Sequence, residues 1–235
     1  MKLTRNRNLY NADCCTIFYT PKLWQPEGGR FSAKAVQRFV KVLAESGVDT
    51  LLINPNAQIA WYPSKAVPTN LDGYKRGDRE FVRGSLANNP NPAPDLDENL
   101  DALCALQNLY LDLVEAGVDW VAEMIKACRQ RRLTPWASVR MNDTHGAAAP
   151  ETSFFNCPLY KNPKYRLSGK LPNLKDKPFV WFVGLNYEFP EVRDYFMTQI
   201  RELVNDYDFD GMELDWTRHF PIFEMPVSQK NIDTI

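Results

Sequence analysis

Short apolar runs alternating with stretches of helical periodicity set the tightest limit on this chain. The runs fall at residues 16–19, 48–53, 135–140 and 211–215. Between the first two, Ala35, Val36, Phe39, Val40 and Leu43 recur at helical spacing, with Ser32 placed to cap the helix and Gly47 to end it. A second helical region spans 97–132 and should break at Gly117. A third opens at Phe189-Pro190-Glu191 and carries Val192, Phe196, Ile200 and Leu203 as its stripe. Strands alternating with helices in this way predict βα units around a parallel sheet.

Four such units make half of an eight-unit barrel, and an open four-stranded parallel sheet leaves two edges and one face uncovered. The expectation is therefore an α/β fold of the (β/α)8 TIM-barrel type, incomplete, with residues 1–235 forming a single partial domain. Such a half-barrel needs a missing half or a second copy of the chain as partner. The Pro-, Asn- and Gly-rich segment from 54 to about 97 reads as a long loop, a length expected where loops carry function.

Composition narrows the partners. The 28 basic and 29 acidic residues are interspersed, with no basic block of the kind that binds nucleic acid. Nowhere do eighteen apolar residues run together, so no membrane span is expected. The first eight residues lack the apolar run of a signal peptide, so the chain is expected to be cytoplasmic if its start is complete. Cys14, Cys15, Cys104, Cys128 and Cys157 show no C-x-x-C or zinc spacing and read as reduced core thiols. Gly28-Gly29 belongs to no phosphate-binding pattern. Neither a cofactor nor a metal is expected.

Chemistry concentrates around residues 209–221. Side chains alternate faces along a strand, so Met212 and Leu214 should pack under helices while Glu213 and Asp215 face the barrel axis, their α-carbons about 6–7 Å apart. Asp215 lies nearer the carboxyl end, where barrel active sites form. By the same parity Ser138, Arg140 and Asn142 face inward. Arg140 can then pair with Glu213 in a buried ion pair that holds the barrel together. His145 and His219 should reach the same rim, where Asn142, Asp143 and Arg218 complete a set of donors and acceptors suited to sugar hydroxyls. Trp61, Tyr62, Trp181 and Trp216 are candidate stacking faces, although core packing accounts for each taken alone.

The segments Val139-Arg140-Met141-Asn142-Asp143-Thr144-His145, Leu185-Asn186-Tyr187-x-x-Pro190-Glu191-Val192-Arg193 and 209–216 resemble the uncharacterised glycoside-hydrolase-like barrel proteins of bacteria. These are similar to the glycosyl-hydrolase-10-like group and more distantly to the α-amylase type. The resemblance covers most of 14–221 in order. It implies an Asp-Gly segment leading into the fourth strand with acidic residues at its end, matched here by Asp210-Gly211, Glu213 and Asp215. Such families run well beyond four strands.

A glycoside hydrolase needs two carboxylates, about 5–5.5 Å apart for retention and about 6.5–9.5 Å for inversion. Neighbouring inward positions on one strand seldom reach opposite sides of one sugar. Asp215 is thus expected to supply one carboxylate, and Asp143 or the missing half the other, so that this chain alone is inactive. Arg140, Asn142, His145, Trp216, Arg218 and His219 are the expected substrate-binding residues. Two other readings stay open. One is a sugar-binding barrel without catalysis. The other is a metal-dependent hydrolase using Asp143, His145, Asp215 and His219.

Overall fold

A computed structural model describes residues 8–86, 96–169 and 183–233. In chain order the elements are β1 (Leu9–Ala12), α1 (Thr16–Tyr19), α2 (Pro21–Trp24), α3 (Ala33–Glu45), β2 (Thr50–Ile53), α4 (Arg79–Arg83), α5 (Leu96–Glu115), α6 (Trp120–Gln130), β3 (Thr134–Arg140), α7 (Pro158–Lys161), α8 (Pro190–Asp206), β4 (Gly211–Asp215) and α9 (Gln229–Ile232). The strands form one sheet in the order β1-β2-β3-β4, every pair parallel. The fold class is α/β. A strand order without reversal is compatible with part of a barrel wall and differs from a doubly wound sheet, in which the order turns back.

Parity sorts the two faces. Leu51, Ile53, Ala137 and Val139 are fully buried in one core with Val36 and Val40 of α3, Val121 and Met124 of α6 and Leu203 of α8. Each large aliphatic side chain there contributes about 1.5–3 kcal/mol relative to exposure. Tyr10 of β1 turns the same way and meets Phe39 of α3 edge-on, ring centroids 6.3 Å apart. Leu214 has this parity too, yet is 43% exposed on the edge strand. Among the described residues, only the single turn of α9 follows β4, and no helix is long and apolar enough to cross a membrane.

The first strand differs from the sequence reading. Residues 16–19 form the turn of helix α1, and β1 is Leu-Tyr-Asn-Ala, seven residues earlier. As an edge strand β1 buries only Ala12, so it lacks the apolar run that marks an interior strand. Asp13 then bends the chain: its Oδ1 accepts from the Cys15 amide at 3.1 Å and its carbonyl from the Thr16 amide at 2.9 Å. Ile17 and Phe18 are buried as helix residues. The predicted break at Gly117, with φ of 70°, does separate α5 from α6.

The long segment after β2 is anchored to the sheet by side-chain amides. Asn54 Nδ2 donates to the Ser138 carbonyl at 2.6 Å, and Asn56 Nδ2 to the Arg140 carbonyl at 2.9 Å. The Arg140 amide returns a bond to Asn56 Oδ1 at 2.8 Å. Asn56 thus takes the place of a β2 peptide beside β3 after the strand itself has ended. Further along, the Glu202 carboxylate of α8 accepts from Tyr62 Oη, Ser64 Oγ and the amides of Lys65 and Ala66, at 2.5–3.1 Å. Burial pushes this carboxyl up, but those four donors hold it below its ordinary value.

Gly211 starts β4 against the ring of Trp136 on β3, and a Cβ there would lie 2.6 Å from the indole Cε2. Gly211→Ala is expected to cost about 1–3 kcal/mol through overpacking, read as a lower urea midpoint at unchanged m-value. A stability within 0.3 kcal/mol of the parent would show that Trp136 moves aside freely.

Candidate functional site

At the carboxyl ends of β1 and β3 lies a cavity of about 600 Å³, open on one side. Phe18 and Tyr19 of α1, Leu103 and Leu106 of α5, Trp61 and Phe155 supply apolar walls; Asp13, Arg140, His145 and Arg218 supply the charged wall. Each charged group arrives just beyond or at the end of a strand: Asp13 after β1, Arg140 closing β3, His145 five residues on, and Arg218 after β4.

Arg140 organises them. Its guanidinium is buried, forms a short hydrogen bond with Asp13 Oδ2 and approaches Asp143 Oδ2 at 3.7 Å. Burial disfavours the charge, but Cys14 and the carboxylates of Asp13 and Asp143 push the Arg140 pKa up. Asp13 is raised by burial, yet Arg140 and the Cys15 amide bring its carboxyl below the usual range. Asp143 is only 2% exposed, and burial again opposes its charge. Its contacts with His145, then Arg140, hold it far below the usual carboxylate range. So little exposure leaves Asp143 almost no surface to present to a ligand, and its carboxylate faces His145 instead.

The His145 ring is defined by both of its nitrogens. Nδ1 lies 2.8 Å from Asp143 Oδ2, and Nε2 lies 3.3 Å from Arg218 Nη2. A guanidinium only donates, so Nε2 accepts and Nδ1–H points to the carboxylate. This assignment leaves His145 oriented by a buried carboxylate at the cavity wall, as a proton-handling imidazole needs to be.

The remaining candidates bind the two rims together. Asn142 Nδ2 donates to the Trp216 carbonyl at 2.7 Å, and the His219 amide donates to Asn142 Oδ1 at 3.4 Å. The Thr144 amide donates to His219 Nδ1 at 3.2 Å. Trp216 meets Tyr187 edge-on at 4.8 Å, which turns it toward the core. Trp61 lines the cavity, stacked on Phe155 with centroids 5.7 Å apart, while Tyr62 is taken up by Glu202. Trp181 lies outside the described residues.

Glu213 and Asp215 sit apart from this cavity. Register places Ser138 beside Glu213 and Arg140 beside Asp215. The pair expected between Arg140 and Glu213 is absent among the described residues. Glu213 Oε2 instead accepts from Ser138 Oγ at 2.6 Å and from Asn11 Nδ2 at 3.2 Å. Asp215 Oδ1 accepts from the Thr217 amide and hydroxyl at 2.8 and 2.6 Å, a local turn that fixes the carboxylate at the end of β4. Both carboxylates are half-buried on the inner face, Asp215 at the rim and Glu213 below it.

Asp13 was missed by sequence reasoning. Placing β1 at 9–12 would have exposed it as the first residue past a strand's carboxyl end, at the same rim as Asp215. The set Asp143, His145, Asp215 and His219 does not converge as a metal group among the described residues. Asp143 faces His145 Nδ1, Asp215 is held by Thr217, and His219 Nδ1 accepts a backbone bond.

Burial lowers the His219 pKa from 6.5 to about 4, and the guanidinium groups of Arg218 and Arg140 add to the effect against Asp143. Between those values the unfolded chain binds a proton that the native chain does not, so stability falls as pH drops. The expected loss from about pH 6.5 to pH 4 is on the order of 2 kcal/mol after solvent screening. Asp13 and Asp143, held low, take effect only at more acid pH. Unfolding midpoints measured across this window should fall for the parent and flatten in His219→Gln; an equal slope in both would assign the effect elsewhere.

No protein-family model matches this chain, and no curated protein does. Among solved structures it is similar to a noncanonic maltogenic alpha-amylase from Thermotoga neapolitana, at 15% identity and a TM-score of 0.44, over 92% of this chain and 40% of that one. It is also similar to the galactosidase domain of an alpha-galactosidase–sucrose kinase, at 16% identity and a TM-score of 0.42, over 94% of this chain and 22% of that one. The chain therefore spans well under half the length of either structure.

Proposed function

We propose that this chain is part of a glycoside-hydrolase-like barrel that acts on carbohydrate across the carboxyl ends of its strands. The observation that carries the reading is the placement of ionisable groups at one end of a parallel sheet, beside an aromatic-walled cavity. Strand ends of that polarity are where barrel enzymes hold their substrates. A ring stacked on an aromatic wall, with hydroxyls met by carboxylate, guanidinium and imidazole, suits a saccharide.

In this reading a saccharide that extends from the cavity along the rim brings its anomeric carbon to Asp215, the carboxylate that stabilises an oxocarbenium-like transition state. Glu213, fixed by Ser138 and Asn11, supports the charge from the same strand. Asp143 holds His145, and Arg140, Asn142, His145, Trp216, Arg218 and His219 form or buttress the hydroxyl-binding rim. The general acid that protonates the leaving oxygen comes from a missing half-barrel or a second copy, so the chain by itself binds sugar without turning it over.

One observation favours a purely binding barrel. Asp13, Glu213 and Asp215 each already accept hydrogen bonds within the fold, as carboxylates used for positioning do. The two readings separate on Asp215→Asn, tested by calorimetry against a panel of oligosaccharides and by hydrolysis of aryl glycosides once the barrel is completed. Catalysis predicts a loss of about 10²–10⁴-fold in turnover with binding retained. Binding without any turnover in the parent supports the non-catalytic barrel, and no saccharide binding at all sinks both.

A further inference from the structure

The turn after β1 brings together a second set of groups whose chemistry is not that of sugar recognition. Asp13, Cys14 and Cys15 each offer a ligand atom, and the three atoms lie within 4.8 Å of one another. Neighbouring side chains in an extended strand point to opposite faces. Here Cys15 takes a helical conformation, φ −96° and ψ −4°, with Asp13 Oδ1 capping its amide, and the two thiols converge.

The spacing matches one kind of ligand. Zinc bonds of about 2.3 Å to sulfur and about 2.0–2.2 Å to oxygen imply S···S near 3.8 Å and S···O near 3.6 Å in a tetrahedron. Cys14 Sγ lies 3.6 Å from Cys15 Sγ and 3.3 Å from Asp13 Oδ1. The thiols are too far apart for a disulfide, which requires about 2.05 Å. All three residues line the cavity, so a fourth coordination position would open into it.

From this the geometry points to a binding site for a thiophilic divalent cation, with zinc as the expected ion, held by Asp13 Oδ1, Cys14 Sγ and Cys15 Sγ. Charge balance favours it in so buried a place. Two thiolates and a carboxylate carry three negative charges; zinc cancels two of them, and Arg140, shared with Asp143, offsets part of the third. Arg140, bonded to the other oxygen of Asp13, orients that carboxylate as outer partners of metal ligands do. The Tyr110 hydroxyl donates to the Cys14 carbonyl at 2.7 Å and lies 3.9 Å from Cys15 Sγ, steadying the turn from α5. Cysteine spacing along the sequence gave no hint of this, because the ligands are consecutive residues and the third is an aspartate.

The test uses the reduced 1–235 chain, with Cd²⁺ and Zn²⁺ alone as probes and no saccharide present, so its outcome is independent of any carbohydrate activity. One equivalent of Cd²⁺ should produce the ultraviolet thiolate-to-metal charge-transfer band, and Zn²⁺ should compete for it. Cys14→Ser and Cys15→Ser should each weaken binding at least 100-fold and Asp13→Asn about 10–100-fold. Cys128→Ser, a buried thiol in the helix core, should change nothing. X-ray absorption of the zinc-loaded parent serves where a serine variant misfolds by circular dichroism. Two sulfurs at about 2.3 Å with oxygen at about 2.0–2.2 Å are expected. No charge-transfer band in the folded parent, a band that survives in Cys14→Ser and Cys15→Ser, or a zinc shell without two sulfurs would overturn the site.

Discussion

The carboxyl-terminal end of this sheet is held by one buried cation. Arg140 closes β3 and its side chain is only 9% exposed, so most of its charge is met within the protein. Asp13 meets it from the turn after edge strand β1, and Asp143 from the loop beyond β3. Burying an ion costs several kcal/mol, and removing one partner of such a pair leaves the other uncompensated. The turn after β1, the position of Asp143 and hence the orientation of His145 all follow from satisfying that guanidinium. The charged wall of the cavity is therefore a single connected network.

A second tier holds the loops to this centre through polar side chains acting as substitutes for backbone. Asn54 and Asn56 continue hydrogen bonding along β3 after β2 has turned away, and Asn142 joins the exits of β3 and β4. Glu202 gathers the loop at 62–66 onto α8. Buried backbone groups must be paired. A loop packed over a sheet end meets that demand with asparagine, glutamine and carboxylate side chains, which is why residues 54–62 look polar and yet are buried. The same segment carries Trp61 and Tyr62 into the interior, so composition alone understates how much of it is core.

Much of the architecture was legible along the chain. The stripes at 35–43 and 192–203 and the break at Gly117 correspond to α3, α8 and the α5–α6 boundary, because an amphipathic helix writes its buried face at a fixed period. Strand alternation likewise separated Val139 from Ser138 and Arg140. The exception was β1, an exposed edge strand whose four residues bury one side chain and so leave no apolar trace. That single misplacement hid Asp13, and with it the partner of Arg140 and the convergence of Cys14 with Cys15. For the site residues, legibility was partial. The rim positions of His145, Arg218 and His219 were readable from their distance past strand ends, whereas the burial of Asp143 and the inward turn of Trp216 were not.

By itself the sequence determined the α/β class, the helix faces and which side of β3 and β4 a residue occupies, since these depend on local periods of 3.6 and 2. Only the tertiary structure decided which carboxylate meets which cation. Parity allowed Arg140 to face Glu213; register aligned Glu213 with Ser138, and the bend at Asp13 gave Arg140 a nearer anion. Pairings of this kind depend on the relative shift of separate strands and on how a turn returns. Both are set by long-range packing that no local pattern in the chain records.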